Sequence, residues 1–116
     1  MSRMEPAAQL LTHLRRGTLE YCVLALLLDG ERYAVDVTRA LSRDAVLVTS
    51  EGTVYPLLSW LRRDGFVTSA WRESPVGPPR RYYALTKAGA AALRAFESQW
   101  SQFRDAVDAA LNGELK

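Results

Sequence analysis

A mainly α fold with a small β-hairpin is what this 116-residue chain predicts, on three observations. The run at 19–28 is apolar around nearly its whole circumference, so other helices must surround it. In FVTSAWRESPVGPPRRYYALT, two runs rich in Val, Thr, Trp and Tyr flank a Pro-rich centre, which marks a hairpin whose loop is too stiff for a tight two-residue turn. After Thr86, large apolar residues recur at alternating spacings of 3 and 4, the pattern of a long helix with a pairing seam.

A short amphipathic segment, about 6–14, precedes Arg15 and Arg16. Gly17 and Thr18 mark a start, with Thr18 the expected cap of a helix over 19–28 that ends at Asp29-Gly30. A second helix, about 34–43, turns Val37, Ala40 and Leu41 inward and leaves Asp36, Arg39 and Arg43 in water. Ser50 is placed to cap a third, in which Val54, Leu57, Leu58 and Leu61 form one apolar stripe before a stop at Asp64-Gly65. Strands follow at about 66–73 and 80–85, where one of Tyr82 and Tyr83 faces the core and the other faces out. Trp60 and Trp71 are expected to be packing residues. Thr86 then caps a helix reaching about 112. Three helices, a hairpin and a helix make a winged helix-turn-helix plus a long C-terminal dimerisation helix. The expected units are an N-terminal arm or short helix at 1–16, the winged unit at 17–85 and the dimerisation helix at 86–116.

Composition bounds the function. With 48% apolar and 24% charged residues the chain is an ordinary folded domain, too short to hold a second one comfortably. Its lone Cys22 cannot form an internal disulfide and fits a buried thiol in a cytoplasmic protein. The start lacks an uninterrupted apolar core followed by a cleavage site, and the run ending at Leu28 is too short to span a bilayer. No paired Cys or His at metal spacing, Gly-rich phosphate loop or nucleophile motif is present, and His13 is expected at the surface. No enzyme and no cofactor are therefore expected.

The third helix carries an odd solvent face. Opposite its stripe lie Gly52, Pro56, Ser59 and Arg63, with Tyr55 and Arg62 beside them. Gly and Pro weaken a helix, and an exposed Tyr puts apolar surface in water. Pro56, a little more than one turn in, leaves the Gly52 carbonyl free at some cost in stability. Such a face suits entry into a DNA major groove. Small Gly52 permits close approach, Ser50, Thr53 and Ser59 offer hydrogen bonds, and Tyr55 meets a phosphate or a thymine methyl. Beside the rigid Pro78-Pro79 tip, Arg80 and Arg81 suit phosphate or minor-groove contact. The net charge of +2 is too small to establish this alone, but Arg62, Arg63, Arg72, Arg80 and Arg81 cluster in the middle of the chain.

On the last helix, Leu93, Phe96, Trp100, Phe103, Val107 and Ala110 repeat at 3, 4, 3, 4 and 3, with Leu111 at the end of the same face. A three-helix core this small cannot cover that whole aromatic seam, so a homodimer is expected across Leu93, Phe96, Trp100, Phe103, Val107 and Leu111. Packing within the chain would use one end at most.

The strings GTVYPLLSWLRRDGFV and GPPRRYYALTKAG together resemble the PadR-like transcriptional regulators, whose pattern runs approximately G-T-[LV]-Y-P-L-L, L-x-x-x-G and G-R-P-R-K-Y-Y-x-L-T-x-x-G. Upstream, GTLEYCVLALLLDGERYAVDV resembles the family's first two helices. The resemblance implies a dimeric winged-helix regulator of the short subclass, usually a repressor of nearby genes released by a small molecule or other signal. It places Tyr33 where a phosphate-contacting aromatic often stands. It also makes Trp100 a possible ligand wall, for hydrophobic or aromatic effectors, or else plain dimer packing. Two positions depart from the pattern: Pro78 stands where a basic residue commonly follows the wing glycine, and Glu51 is acidic at the start of the recognition helix.

The partners expected are thus double-stranded DNA, as a roughly palindromic operator with half-sites about one helical turn apart, and a second copy of the chain. A winged-helix module that binds protein through Tyr55 and Trp60 is the competing reading. It predicts salt-insensitive binding without DNA.

Overall fold

The computed structural model describes residues 7–44, 46–47 and 51–115. Helices α1 (Ala7–Arg15), α2 (Leu19–Leu26), α3 (Ala34–Ser42), α4 (Val54–Arg63) and α5 (Lys87–Leu111) enclose strands β1 (Arg32–Tyr33), β2 (Val67–Arg72) and β3 (Arg80–Leu85). The core is the junction of α2, α3 and α4, sealed on one side by the sheet and by the start of α5. Val23, Leu24, Leu27, Val37, Leu41, Val54, Leu58, Leu61 and Val67 are all essentially inaccessible there. Thr38 is buried among them, its hydroxyl donating to the Ala34 carbonyl at 3.1 Å, so no polar group is left unsatisfied at that point.

Several boundaries differ from the sequence expectation. Thr18 does not cap α2: its backbone is already helical, and its hydroxyl donates back to the Leu14 carbonyl at 3.1 Å. The chain turns from α1 into α2 at Gly17, whose φ of +78° strains any side-chain-bearing residue. Helix α2 closes at Leu26, two residues early, and the Arg32 guanidinium donates to the Leu26 carbonyl that this ending frees. Ser50 lies outside the described residues. Before α4 there is a 3-10 turn, Glu51–Thr53, so Pro56 falls in the first α-helical turn. An N–H at that position has no intrahelical acceptor, and the helix cost expected of Pro56 largely disappears.

The end of α4 follows its sequence closely. Gly65, at φ +82°, donates to the Arg62 carbonyl at 3.1 Å and Phe66 donates to the Leu61 carbonyl at 2.9 Å. This paired cap reverses the chain directly into β2. The sheet has three strands, not two, in the order β1-β3-β2 and antiparallel throughout. Arg32 pairs with Tyr83 and Tyr33 with Tyr82. A two-residue strand is too short to show periodicity, which is why β1 was invisible in the sequence. Thr86 caps α5 as expected: its hydroxyl oxygen accepts from the Gly89 N–H at 3.0 Å and donates to the Gly65 carbonyl at 2.7 Å, tying the α4 turn to the α5 start.

Candidate nucleic-acid interface

Amphipathicity orients α4. With Val54, Leu58 and Leu61 buried, the reverse side carries exposed Gly52, Thr53, Pro56, Ser59, Arg62 and Arg63, and Tyr55 is 44% exposed. The structure therefore brings Gly52, Pro56, Ser59 and Arg63 together on one face, while Thr53 sits at its edge, on the rim of a hollow it shares with Leu57 and Trp60. Small residues at the front leave room for close approach, while the two arginines lie in the last turn.

The wing is organised by strand alternation. Tyr83 and Val67 face the core, so Arg81 and Trp71 extend along that same face beyond it. Arg80, Tyr82 and Tyr33 share the outer face. Arg80 and Arg81 therefore point to opposite sides of the sheet and do not form one paired cation. Arg81 donates to the Ser69 hydroxyl from Nε at 3.2 Å and from Nη2 at 3.1 Å, and lies 5.3 Å from the Trp71 ring centroid. Arg80 lies 4.7 Å from the Tyr33 ring centroid. Arg72, opposite Arg80 in register, is 5.8 Å from the Tyr82 centroid and donates to Glu31 at 2.8 Å. The sequence places Arg72 only in the arginine cluster and Tyr82 only as a strand residue, and does not single out Glu31; what joins the three is the three-stranded register.

Two tryptophan expectations are corrected. Trp60 is 44% exposed and Trp71 is 65% exposed, so neither is a core packing residue. Trp60 instead walls a cavity of about 510 Å³ between α1, α2 and α4, beside Leu57 of its own helix and across from Arg15 and Arg16. Glu20 also lines it, and partial burial, aided by the nearby Asp64 charge, raises its carboxyl above the usual glutamate range. His13 is exposed, as expected.

On α5, Leu93 is part of the chain's own core at 4% exposure, so the seam open to a partner begins after it. Phe96 is half-buried and stacks on Tyr21 of α2, with centroids 4.3 Å apart and planes 8° apart. Trp100 continues the stack, 5.8 Å from Phe96. Trp100, Phe103, Val107 and Leu111 are all exposed along a helix of 25 residues. Trp100 lines two hollows: one of about 490 Å³ with Phe96, Gln99 and Phe103, and one of about 300 Å³ reaching Leu11, Leu14 and Cys22. Cys22 is only half-buried, but burial still pushes its thiol up, which disfavours the reactive thiolate.

Among the described residues no cluster of His, Cys, Asp or Glu is able to hold a metal ion, and no helix is long and apolar enough to cross a membrane.

Comparison with known proteins agrees with this architecture. Over 79 residues, 68% of this chain and 72% of the relative, it is 38% identical to a transcriptional regulator of Mycobacterium tuberculosis. A PadR-like transcription factor from Bacteroides fragilis superposes with a TM-score of 0.71 at 38% identity, covering 88% of this chain and 98% of the other. A PadR family transcriptional regulator from Eggerthella lenta superposes at 0.77 with 32% identity, covering 90% of each. These relatives are transcriptional regulators and not enzymes. Residues 23–95, from the core of α2 through α4 and the wing to the first turns of α5, match the Transcriptional regulator PadR-like family, and the chain belongs to that family.

Proposed function

We propose that this regulator is a homodimeric, sequence-specific DNA-binding repressor, released from its operator by a small molecule or other signal. The observation that carries the DNA reading is the exposed face at the start of α4, where Gly52, Pro56 and Ser59 stand opposite the buried Val54, Leu58 and Leu61, with Thr53 and Tyr55 exposed at its margins. A helix with that face enters the major groove by its N-terminal end, Arg63 and Arg80 supply backbone contacts, and Tyr33 stands against Arg80 on the wing. Arg81, shared between Ser69 and Trp71, contributes mainly charge.

Dimerisation is supported by shape. The Cα radius of gyration is 16.8 Å, against about 13 Å for a compact chain of this length. Helix α5 is the extended part, and it carries Trp100, Phe103, Val107 and Leu111 into water. A symmetric contact along that seam covers them and sets two recognition helices on one side of a roughly palindromic site. Trp100, at the edge of two hollows, is the proposed wall for a hydrophobic or aromatic effector. The protein works in the cytoplasm, where its DNA is accessible.

The test is fluorescence anisotropy of labelled DNA from upstream of the protein's own gene, titrated across salt concentrations against an unrelated duplex. Tight, selective and salt-sensitive binding is expected. Absence of binding at low salt by a demonstrated dimer refutes the reading in favour of a protein-binding module using Tyr55 and Trp60.

A further inference from the structure

We propose that Tyr33 is a positioning residue for DNA binding: its ring face holds the Arg80 guanidinium in place on the wing, and its hydroxyl is not what matters. This rests on the DNA-binding reading above. Four distances carry it. Arg80 sits 4.7 Å from the Tyr33 centroid, the shortest of the three cation–π contacts in the wing. Tyr33 is itself fixed, by strand pairing to Tyr82 and by ring contact with Tyr82 at 5.7 Å. Tyr82 in turn lies 5.8 Å below Arg72, and Arg72 is tied to Glu31 at 2.8 Å. Glu31 and Tyr33 flank Arg32 at β1, so the third strand supports both outer-face arginines of the wing at once.

The chemistry differs between the two cations. Arg72 has a carboxylate partner, whereas Arg80 makes no ion pair among the described residues and meets only the negative face of an aromatic ring. A ring face orients a guanidinium without neutralising it, so Arg80 remains available to a phosphate. Pro78 and Pro79 precede it and restrict the backbone, while Tyr33 restricts the side chain. Ordering the long side chain in the free protein removes part of the entropy otherwise lost on binding. Tyr33 thus affects affinity through Arg80.

Three variants and two readouts test this. Tyr33→Leu keeps apolar bulk but removes the ring, and is expected to raise Kd about three- to fivefold on specific and unrelated duplexes alike, with the salt slope unchanged. Tyr33→Phe keeps the ring and is expected to stay within about twofold of the parent. In an Arg80→Ala background, Tyr33→Leu is expected to add less than about twofold, because the residue through which it acts is gone. A loss with Tyr33→Phe as large as with Tyr33→Leu overturns the proposal in favour of a hydroxyl–phosphate contact, as does an undiminished Tyr33→Leu loss without Arg80. The second readout needs no DNA. In the nitrogen–proton NMR spectrum of the free protein, the Arg80 Nε–H resonance is expected upfield from ring current, equally so in Tyr33→Phe. An unshifted Arg80 resonance in the folded parent refutes the cradle even if DNA binding is intact. A shifted resonance in a protein that binds no DNA leaves the geometry standing and refutes the function assigned to it.

Discussion

Gly89→Ala is a sharp probe of how α5 is joined to the winged unit. Glycine is an ordinary weak point in a helix, and replacement by alanine normally gains up to about 1 kcal/mol. At this position the sign is expected to reverse. A Cβ on residue 89 would collide with the Phe66 carbonyl oxygen and stand 2.7 Å from Leu85 Cδ1. The leucine end can move, but the carbonyl is backbone and is held by the Thr86 N–H at 3.2 Å. Moving it strains the loop that also receives the Thr86 hydroxyl at Gly65. Overpacking costs about 1–3 kcal/mol and loss of the Phe66–Thr86 bond about 1 kcal/mol more, so the net destabilisation is about 1–3 kcal/mol after the helix gain. For a domain of this size that lowers Tm by roughly 4–12 °C. The assay is thermal unfolding followed by circular dichroism at matched protein concentration, since the proposed dimerisation would make Tm concentration-dependent. A Gly89→Ala Tm equal to or above the parent's refutes the reasoning.

Glu20→Gln is expected to raise Tm near neutral pH and to lose that advantage in acid. The folded-state pKa is raised, so Glu20's favourable contribution is full below the ordinary glutamate pKa and is lost as pH rises through the folded value; a constant difference across that range in melting experiments contradicts the assignment. Phe103→Glu puts a charge into a symmetric seam twice and is expected to weaken self-association by about 3–6 kcal/mol while leaving the helix intact, as sedimentation against dichroism will show. Tyr55→Ala is expected to weaken operator binding by about 1–3 kcal/mol with a smaller loss on unrelated DNA, measured by anisotropy; equal losses reassign Tyr55 to phosphate positioning.

What could be known from sequence follows the length of each signal. The α4 stripe and the α5 seam repeat over several turns, so both helices and their apolar faces were legible, but periodicity could not tell that the first seam residues, Leu93 and Phe96, pack within the chain. Caps were less legible. Thr86 was found because a strand ends and a helix begins at it, whereas Thr18 follows another helix so closely that its hydroxyl satisfies Leu14 instead. The tryptophans were misjudged because aromatic size predicts burial only where a core is near: Trp71 lies beyond the core on a strand that outruns it. Pairing between distant segments was not legible. Nothing local in ERY announces that Tyr33 will lie beside Tyr82, because that contact depends on where β3 is delivered by the wing.

The same contacts bear on how a signal at α5 would reach DNA. Tyr21 belongs to α2, whose residues Val23 and Leu24, with Leu27 just past its end, form the core shared with α4. Its stack on Phe96, continued to Trp100, makes one rigid aromatic column from that core to the open seam. A ligand at the proposed Trp100 site would therefore act at the joint between the winged unit and α5, not on α4 directly. It can change DNA affinity only by favouring one angle of that joint over another, since a ligand that binds both equally shifts nothing. At the other end of the joint Gly89 and Thr86 tie α5 to the turn that closes α4. Two fixed points, the aromatic column and the Gly89 contact, resist local bending between them. In the proposed dimer, the motion such a ligand would bias is relative rotation of the two protomers about the seam, which would change the spacing of the two α4 helices while each winged unit keeps its shape.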